Sequence, residues 1–243
     1  MKSVLAVTLF IVTCSFSALG QSNSRASLLK EIETKRADLA KLENMFLAPA
    51  PDDRAEYAVF LEQPDTGLIR LLPREVYDSF VNKKGPLTVR GGGAYYSFAL
   101  KSHEYGNGTD IGFEQGDVQI GGFGGASYGM LARLDSVRLE EISAEHPILR
   151  FLVEHKAAAD EPAARIEQRR SSVGTTIDTM SYKRRWPVEV GATYVGRSIN
   201  YDQSDVLVAF KIVRKDIDDS VIIAWKLLKK FPKPELTRAT ASK

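Results

Sequence analysis

The chain has 243 residues, 44% of them hydrophobic and 26% charged, the proportions of a folded protein long enough to bury a sizeable core in one domain or two. A formal net charge of +2 excludes a strong general attraction to nucleic acid, and no specific nucleic-acid binding is expected. One cysteine, Cys14, excludes a disulfide framework.

The first residues have the layout of a secretory signal. Lys2 is a short positive region and Val4 to Phe16 an uncharged apolar run. Ser17, Ala18, Leu19 and Gly20 then place small side chains where signal peptidase requires them, so cleavage is expected after Gly20. The apolar run is shorter than the about 20 residues a membrane-spanning helix needs. This reading predicts export to a periplasm or the cell exterior. It divides the chain into a signal peptide (1–20), an N-terminal helix (21–50) and a mostly β domain (51–243).

Residues 24–47 carry apolar side chains at Leu28, Ile32, Leu39, Leu42 and Phe46, one helical stripe interrupted at Lys35. The seam spans about three heptads and fits a contact within the domain or a coiled-coil homo-oligomer equally well. Pro49 and Pro51 end it. A short helix is expected over 52–62, capped by Asp52 or Asp53, with Ala55, Val59 and Phe60 on one face.

From Leu68 the period changes to two. Leu68 to Leu72 and Leu87 to Arg90 read as strands. Turns at Asn107-Gly108 and at Gln115-Gly116 predict a three-stranded meander over 94–122. Its register sets Glu104 against Ile111, His103 against Gly112, Phe113 against Val118 and Ile111 against Ile120. Phe98, Leu100, Ile111, Phe113, Val118 and Ile120 then share a face. Tyr128 to Leu134 is a strand with Tyr128, Met130, Ala132 and Leu134 on one side. Residues 144–156 read as a helix capped by Ser143, residues 160–171 as another capped by Asp160, and 172–180 as a loop. Thr193 to Tyr201 is a strand. Val206 to Arg214 and Ser220 to Leu228 form a hairpin with Phe210 opposite Trp225 and Ile212 opposite Ile223. That register avoids setting Lys211 against Lys226.

The predicted meander has a polar face: Lys101, His103, Asp110, Glu114, Asp117 and Gln119. These six are the candidate ligand face. A histidine beside carboxylates can bind a metal or act as a general base, although alternation alone gives an antiparallel sheet a polar solvent side. No metal is assigned and no cofactor is expected. Arg197 alternates with Val195, Ile199 and Tyr201, so it is expected to face inward and to need Asp202 or Asp205 as partner. The strand Tyr95, Tyr96, Phe98 is a second candidate surface. Basic residues in 165–185, including Lys183, Arg184 and Arg185, and near the C-terminus read as a solvated face, or else as a contact for an anionic surface such as lipid headgroups or acidic polymers. HExxH, paired-cysteine zinc, phosphate-loop and GxSxG patterns do not occur.

The expected fold is mainly β, an antiparallel sandwich or partly closed barrel, with an N-terminal amphipathic helix and one or two short helices. The expected function is a non-enzymatic exported binding or structural domain. The alternative is a metal-assisted hydrolase or lyase using His103 with Asp110 or Glu114.

Overall fold

The computed structural model describes residues 5–75, 89–134 and 137–237, with side chains from residue 24 onward. The chain divides into two units, Met1–Phe46 and Leu47–Lys243. The first is one helix, α1 (Leu5–Phe46). A single helix cannot cover its own stripe, and Leu28, Ile32, Leu39 and Leu42 are exposed.

The second unit opens with α2 (Pro51–Glu56) and α3 (Ala58–Leu61). Pro51 suits a first helical turn, where its missing N–H costs nothing. Asp53 does not precede the helix; it sits inside it and reaches back to accept the Ala50 N–H at 3.1 Å. The break at Tyr57 turns Val59 outward while Phe60 stays buried, so Ala55, Val59 and Phe60 do not form the expected common face.

Eleven strands follow among the described residues: β1 (Thr66–Leu71), β2 (Tyr95–Tyr96), β3 (Ile111–Glu114), β4 (Asp117–Ile120), β5 (Tyr128–Leu134), β6 (Thr175–Ile177), β7 (Met180–Tyr182), β8 (Arg185–Pro187), β9 (Thr193–Asn200), β10 (Ser204–Lys215) and β11 (Val221–Lys230). They form a five-stranded sheet β1-β11-β10-β9-β5, a four-stranded sheet β2-β3-β4-β8 and a two-stranded ribbon β6-β7. All pairings are antiparallel. Two helices, α4 (Arg150–Glu154) and α5 (Glu161–Val173), lie between β5 and β6.

The expected mainly β class gives way to a mixed one, 33% strand and 32% helix, because α1 alone supplies 42 residues. None of the sheets closes into a barrel. The five-stranded sheet is buried on both faces. In β10, Val206, Val208, Phe210 and Ile212 join one core with Ile111, Phe113, Val118 and Ile120 of the four-stranded sheet. Leu207 and Ala209 point the other way, into a core with Leu139, Ile142, Leu149, Leu152 and Ala164. This period-two division makes β10 apolar on both faces from Val206 to Phe210 and leaves β9 with all eight residues buried.

Several local expectations hold. Phe210 pairs with Trp225 and Ile212 with Ile223. Tyr128, Met130, Ala132 and Leu134 share one core. Asp160 caps α5 by accepting the Ala163 N–H at 2.8 Å. Others are corrected. The helix expected over 144–156 shrinks to a 3-10 turn at Pro147–Leu149 followed by α4, because Pro147 fits only a first turn. The loop expected at 172–180 contains the β6-β7 hairpin, with Asp178 at φ 53° in its turn. Of the strand expected at Leu87–Arg90, residues 87 and 88 lie outside the described residues, and Arg90 begins a 3-10 turn, Arg90–Gly93.

Arg197 is the inward arginine anticipated from alternation, and its partner is Asp205. Both side chains are almost fully buried, at 3% and 2% exposure. Two hydrogen bonds of 2.8 and 2.7 Å join them. Arg197 Nη1 also donates to the carbonyls of Leu152 and His155 at 2.8 and 2.6 Å, and the Phe231 ring covers the guanidinium at 3.6 Å. Asp205→Ala leaves that cation buried without a counter-charge and is expected to cost about 3–5 kcal/mol. Urea unfolding of the variant checks this; a loss under about 1 kcal/mol contradicts the pairing as the main restraint on Arg197.

Candidate functional site

The four-stranded sheet turns Ile111, Phe113, Val118 and Ile120 inward, so Gly112, Glu114, Asp117 and Gln119 face outward. The tight turn expected at Gln115-Gly116 forms, with the positive φ of a I′ turn at both residues, 53° and 78°, and fixes that register. Strand pairing then aligns one row across the whole sheet: Tyr95, Gly112, Gln119, Arg185. Glycine is required in this row. A Cβ on Gly112 would lie 2.8 Å from ring carbons of both Phe123 and Tyr95. The bare position lets Phe123, carried by the glycine-flanked 121–125 loop, fold onto the sheet. It meets Tyr95 edge-on at 5.4 Å. On its other side Tyr95 packs against Tyr105 at 4.6 Å, and Tyr105 is 56% exposed. Arg74, Gly91, Tyr95 and Tyr105 line a cavity of about 220 Å³ at this place.

Beside the rings lies a charged network. Glu114 accepts from the Tyr95 hydroxyl at 2.5 Å, from Arg74 at 3.0 Å and from Arg185 at 2.8 Å. Gln119 Oε1 accepts from Arg185 Nε at 2.8 Å and from Arg184 at 3.4 Å. Burial by itself would raise the Glu114 pKa. The Tyr95 hydroxyl and the Arg74 and Arg185 guanidiniums outweigh it and hold the carboxyl below the usual range. Burial, and then Glu114 itself, push the Tyr95 phenol far above its ordinary value. Glu114 therefore stays ionised and Tyr95 stays protonated through the neutral range.

Of the six residues expected on one polar face, the structure brings together Glu114, Asp117 and Gln119. The other three lie elsewhere. Lys101, at φ 54°, pairs with Asp65 at 3.4 Å. His103 places Nε2 2.7 Å from the Arg70 carbonyl and its ring edge-on to Tyr96, and burial lowers its pKa. Asp110 is fully buried. His103 shares no hydrogen bond with Asp110 or Glu114, and no group of three or more His, Cys, Asp or Glu among the described residues is placed to hold a metal.

The cause is one turn. Asn107-Gly108 does turn, with the Thr109 N–H donating to the Gly106 carbonyl at 3.1 Å, but neither central residue takes the positive φ of a I′ turn. Other turn types splay their arms. The expected register of Glu104 on Ile111 and His103 on Gly112 is therefore not formed. Residues 97–102 close a small hairpin of their own through a Ser97–Ser102 bridge, and Tyr95 takes the place opposite Gly112. Leu100 is consequently exposed, whereas Phe98 stays in the core. Tyr96 also packs inward, so only Tyr95 of the expected aromatic strand serves the outer face. The sequence flagged Arg184 and Arg185 only as part of a basic stretch. It gave no sign of Arg74, Tyr105 or Phe123, apart from the glycine pairs that flank Phe123.

No protein-family model matches the chain, and neither a curated protein nor a solved structure shows significant similarity to it.

Asp110 generates a pH prediction. Burial pushes its pKa from 3.8 up to about 6, against the opposing pull of hydrogen bonds from Ser198, Ala99, Phe98 and Ser97. The folded state then binds more protons than the unfolded state between those values. The contribution to stability is complete below pH 3.8 and is lost as the pH rises to about 6. In Asp110→Asn the amide oxygen can keep the backbone donors, and a flip of the Asn200 amide, whose Nδ2 donates to Asp110 Oδ1 in the wild type, turns its unpartnered Oδ1 toward the new NH₂. Relative to that variant, wild type is expected to lose on the order of a few kcal/mol across this window. Parallel slopes in urea unfolding at several pH values contradict it.

Proposed function

We propose that this protein is an exported, non-enzymatic binding domain whose ligand docks on the outer face of the four-stranded sheet. The observation that carries the reading is Tyr105. A ring 56% exposed stands at the mouth of a cavity, backed by the buried Tyr95 and flanked by Arg74. A large aromatic surface left open beside preset polar groups is what ligand sites are made of. A saccharide fits this mixture, since its rings offer both apolar faces and hydroxyls.

The non-enzymatic part rests on proton chemistry. A general acid or base works best with a pKa near the operating pH. Glu114 is held below that range and Tyr95 above it, so the pair supplies a fixed charge and a fixed proton. Export rests on the N-terminal layout, from Lys2 through the apolar run to Gly20.

Two outcomes are expected. Tyr105→Ala should abolish any rise in melting temperature caused by binding oligosaccharides, neutral or acidic, while moving the protein's own melting temperature by no more than about 2 °C. A panel that leaves wild type unshifted overturns the binding reading, and release of cleaved sugar overturns the non-enzymatic one. Expressed with its own N-terminus in a bacterial host, the chain should be recovered outside the cytoplasm beginning at Gln21. Intact mass spectrometry showing the uncleaved chain contradicts export by this signal.

A further inference from the structure

Arginines in the second unit follow a rule. Among the described residues, each partly or fully buried arginine other than Arg184 meets a carboxylate, from Arg70 on Asp218 to Arg214 on Asp53. Arg184 breaks the rule. It is half-buried, yet among the described residues its guanidinium has one hydrogen bond, to the neutral Gln119 Oε1 at 3.4 Å. Its neighbour Arg185 has taken the nearby carboxylate, Glu114. A partly desolvated cation without a directly paired carboxylate is unfavourable. Burial, and then the repulsion of Arg185, lower the Arg184 pKa, and the more distant attraction of Glu114, which Arg185 already pairs, offsets them only in part.

The surroundings of Arg184 suit an incoming anion. Gly122, at φ 74°, presents bare backbone to it, and a Cβ there would lie 3.1 Å from Arg184 Nη1. The amides of Gly122 and Phe123 donate to no acceptor among the described residues. The adjoining side chain is Phe123, which leads directly to the aromatic face. A guanidinium binds carboxylate or sulfate through paired donors, which a lysine cannot reproduce.

We infer that Arg184 is the anchor for an oxyanion on the ligand, and that the ligand is an acidic saccharide, its carboxylate or sulfate on Arg184 and its ring against Phe123. This rests on the proposed binding face and specifies what that face selects. The anion supplies the direct ion pair that Arg184 lacks in the fold. Neutral sugars leave it without one and bind more weakly.

The test is calorimetric titration of the purified protein with an oligouronate, a neutral oligosaccharide of the same linkage, and inorganic sulfate. The oligouronate should bind most tightly, and more weakly as salt rises. Arg184→Gln should weaken it roughly tenfold to a hundredfold. Its melting temperature should not fall, since no ion pair is broken, which separates loss of binding from loss of fold. Arg184→Lys should recover only part of the affinity. Equal binding of neutral and acidic sugars, sensitive to Tyr105→Ala but not to Arg184→Gln, overturns this inference and leaves the binding face standing. No binding of any of the three probes overturns both. Sulfate binding that depends on Arg184 without any gain from the sugar keeps the oxyanion and overturns the saccharide.

Discussion

The carboxylate of Asp110 decides the geometry around it. It sits fully buried where β3 begins, and its Oδ2 accepts the N–H groups of Phe98 and Ala99 at 2.8 and 3.2 Å. Its Oδ1 accepts from Asn200 in β9 at 2.9 Å. One side chain thus ties the 97–102 hairpin, the four-stranded sheet and the five-stranded sheet together. Such a group is tolerated because nearly every lone pair is satisfied. With residues 97–102 folded back on Asp110, Tyr95 pairs with Gly112, and the outer face acquires an aromatic ring where a histidine was expected.

The second unit manages buried charge in two ways. Asp205 and Arg197 are enclosed together with further carbonyl partners, and Arg214 joins β10 to α2 through Asp53. These pairs connect distant segments and are complete in themselves. The outer face is different. Glu114 is shared between Arg74 and Arg185, which leaves Arg184 with no carboxylate of its own. The self-contained pairs and the outer-face cluster are therefore separable by which carboxylate each guanidinium meets.

Layering explains why the face is available. The five-stranded sheet has cores on both sides, whereas among the described residues the four-stranded sheet has a core on one side only. Its outer side is the surface on which binding is proposed. A meander face exposed to solvent is ordinarily polar for that reason alone. What departs from ordinary polarity here is the cluster of three rings around a glycine, beside a half-buried carboxylate with three donors.

The sequence by itself determined the features set by neighbours along the chain. Period-two apolar runs located β5, β9, β10 and β11. The Gln115-Gly116 turn set Phe113 against Val118, and avoidance of facing lysines set Phe210 against Trp225. Asp160 declared the start of α5. Half of the candidate face, Glu114, Asp117 and Gln119, was legible because those residues alternate with a strongly apolar set. Only the tertiary structure decided the rest. The Asn107-Gly108 turn abandoned its local preference because Asp110 is held by Asn200, a partner 90 positions away. Nor does any local pattern say that β8 lies beside β4, or that Phe123 folds over Gly112. Alternation assigns a residue to a face of its own strand. Which strands adjoin, and which loop crosses them, depends on long-range packing, and the site is assembled from segments that only that packing brings together.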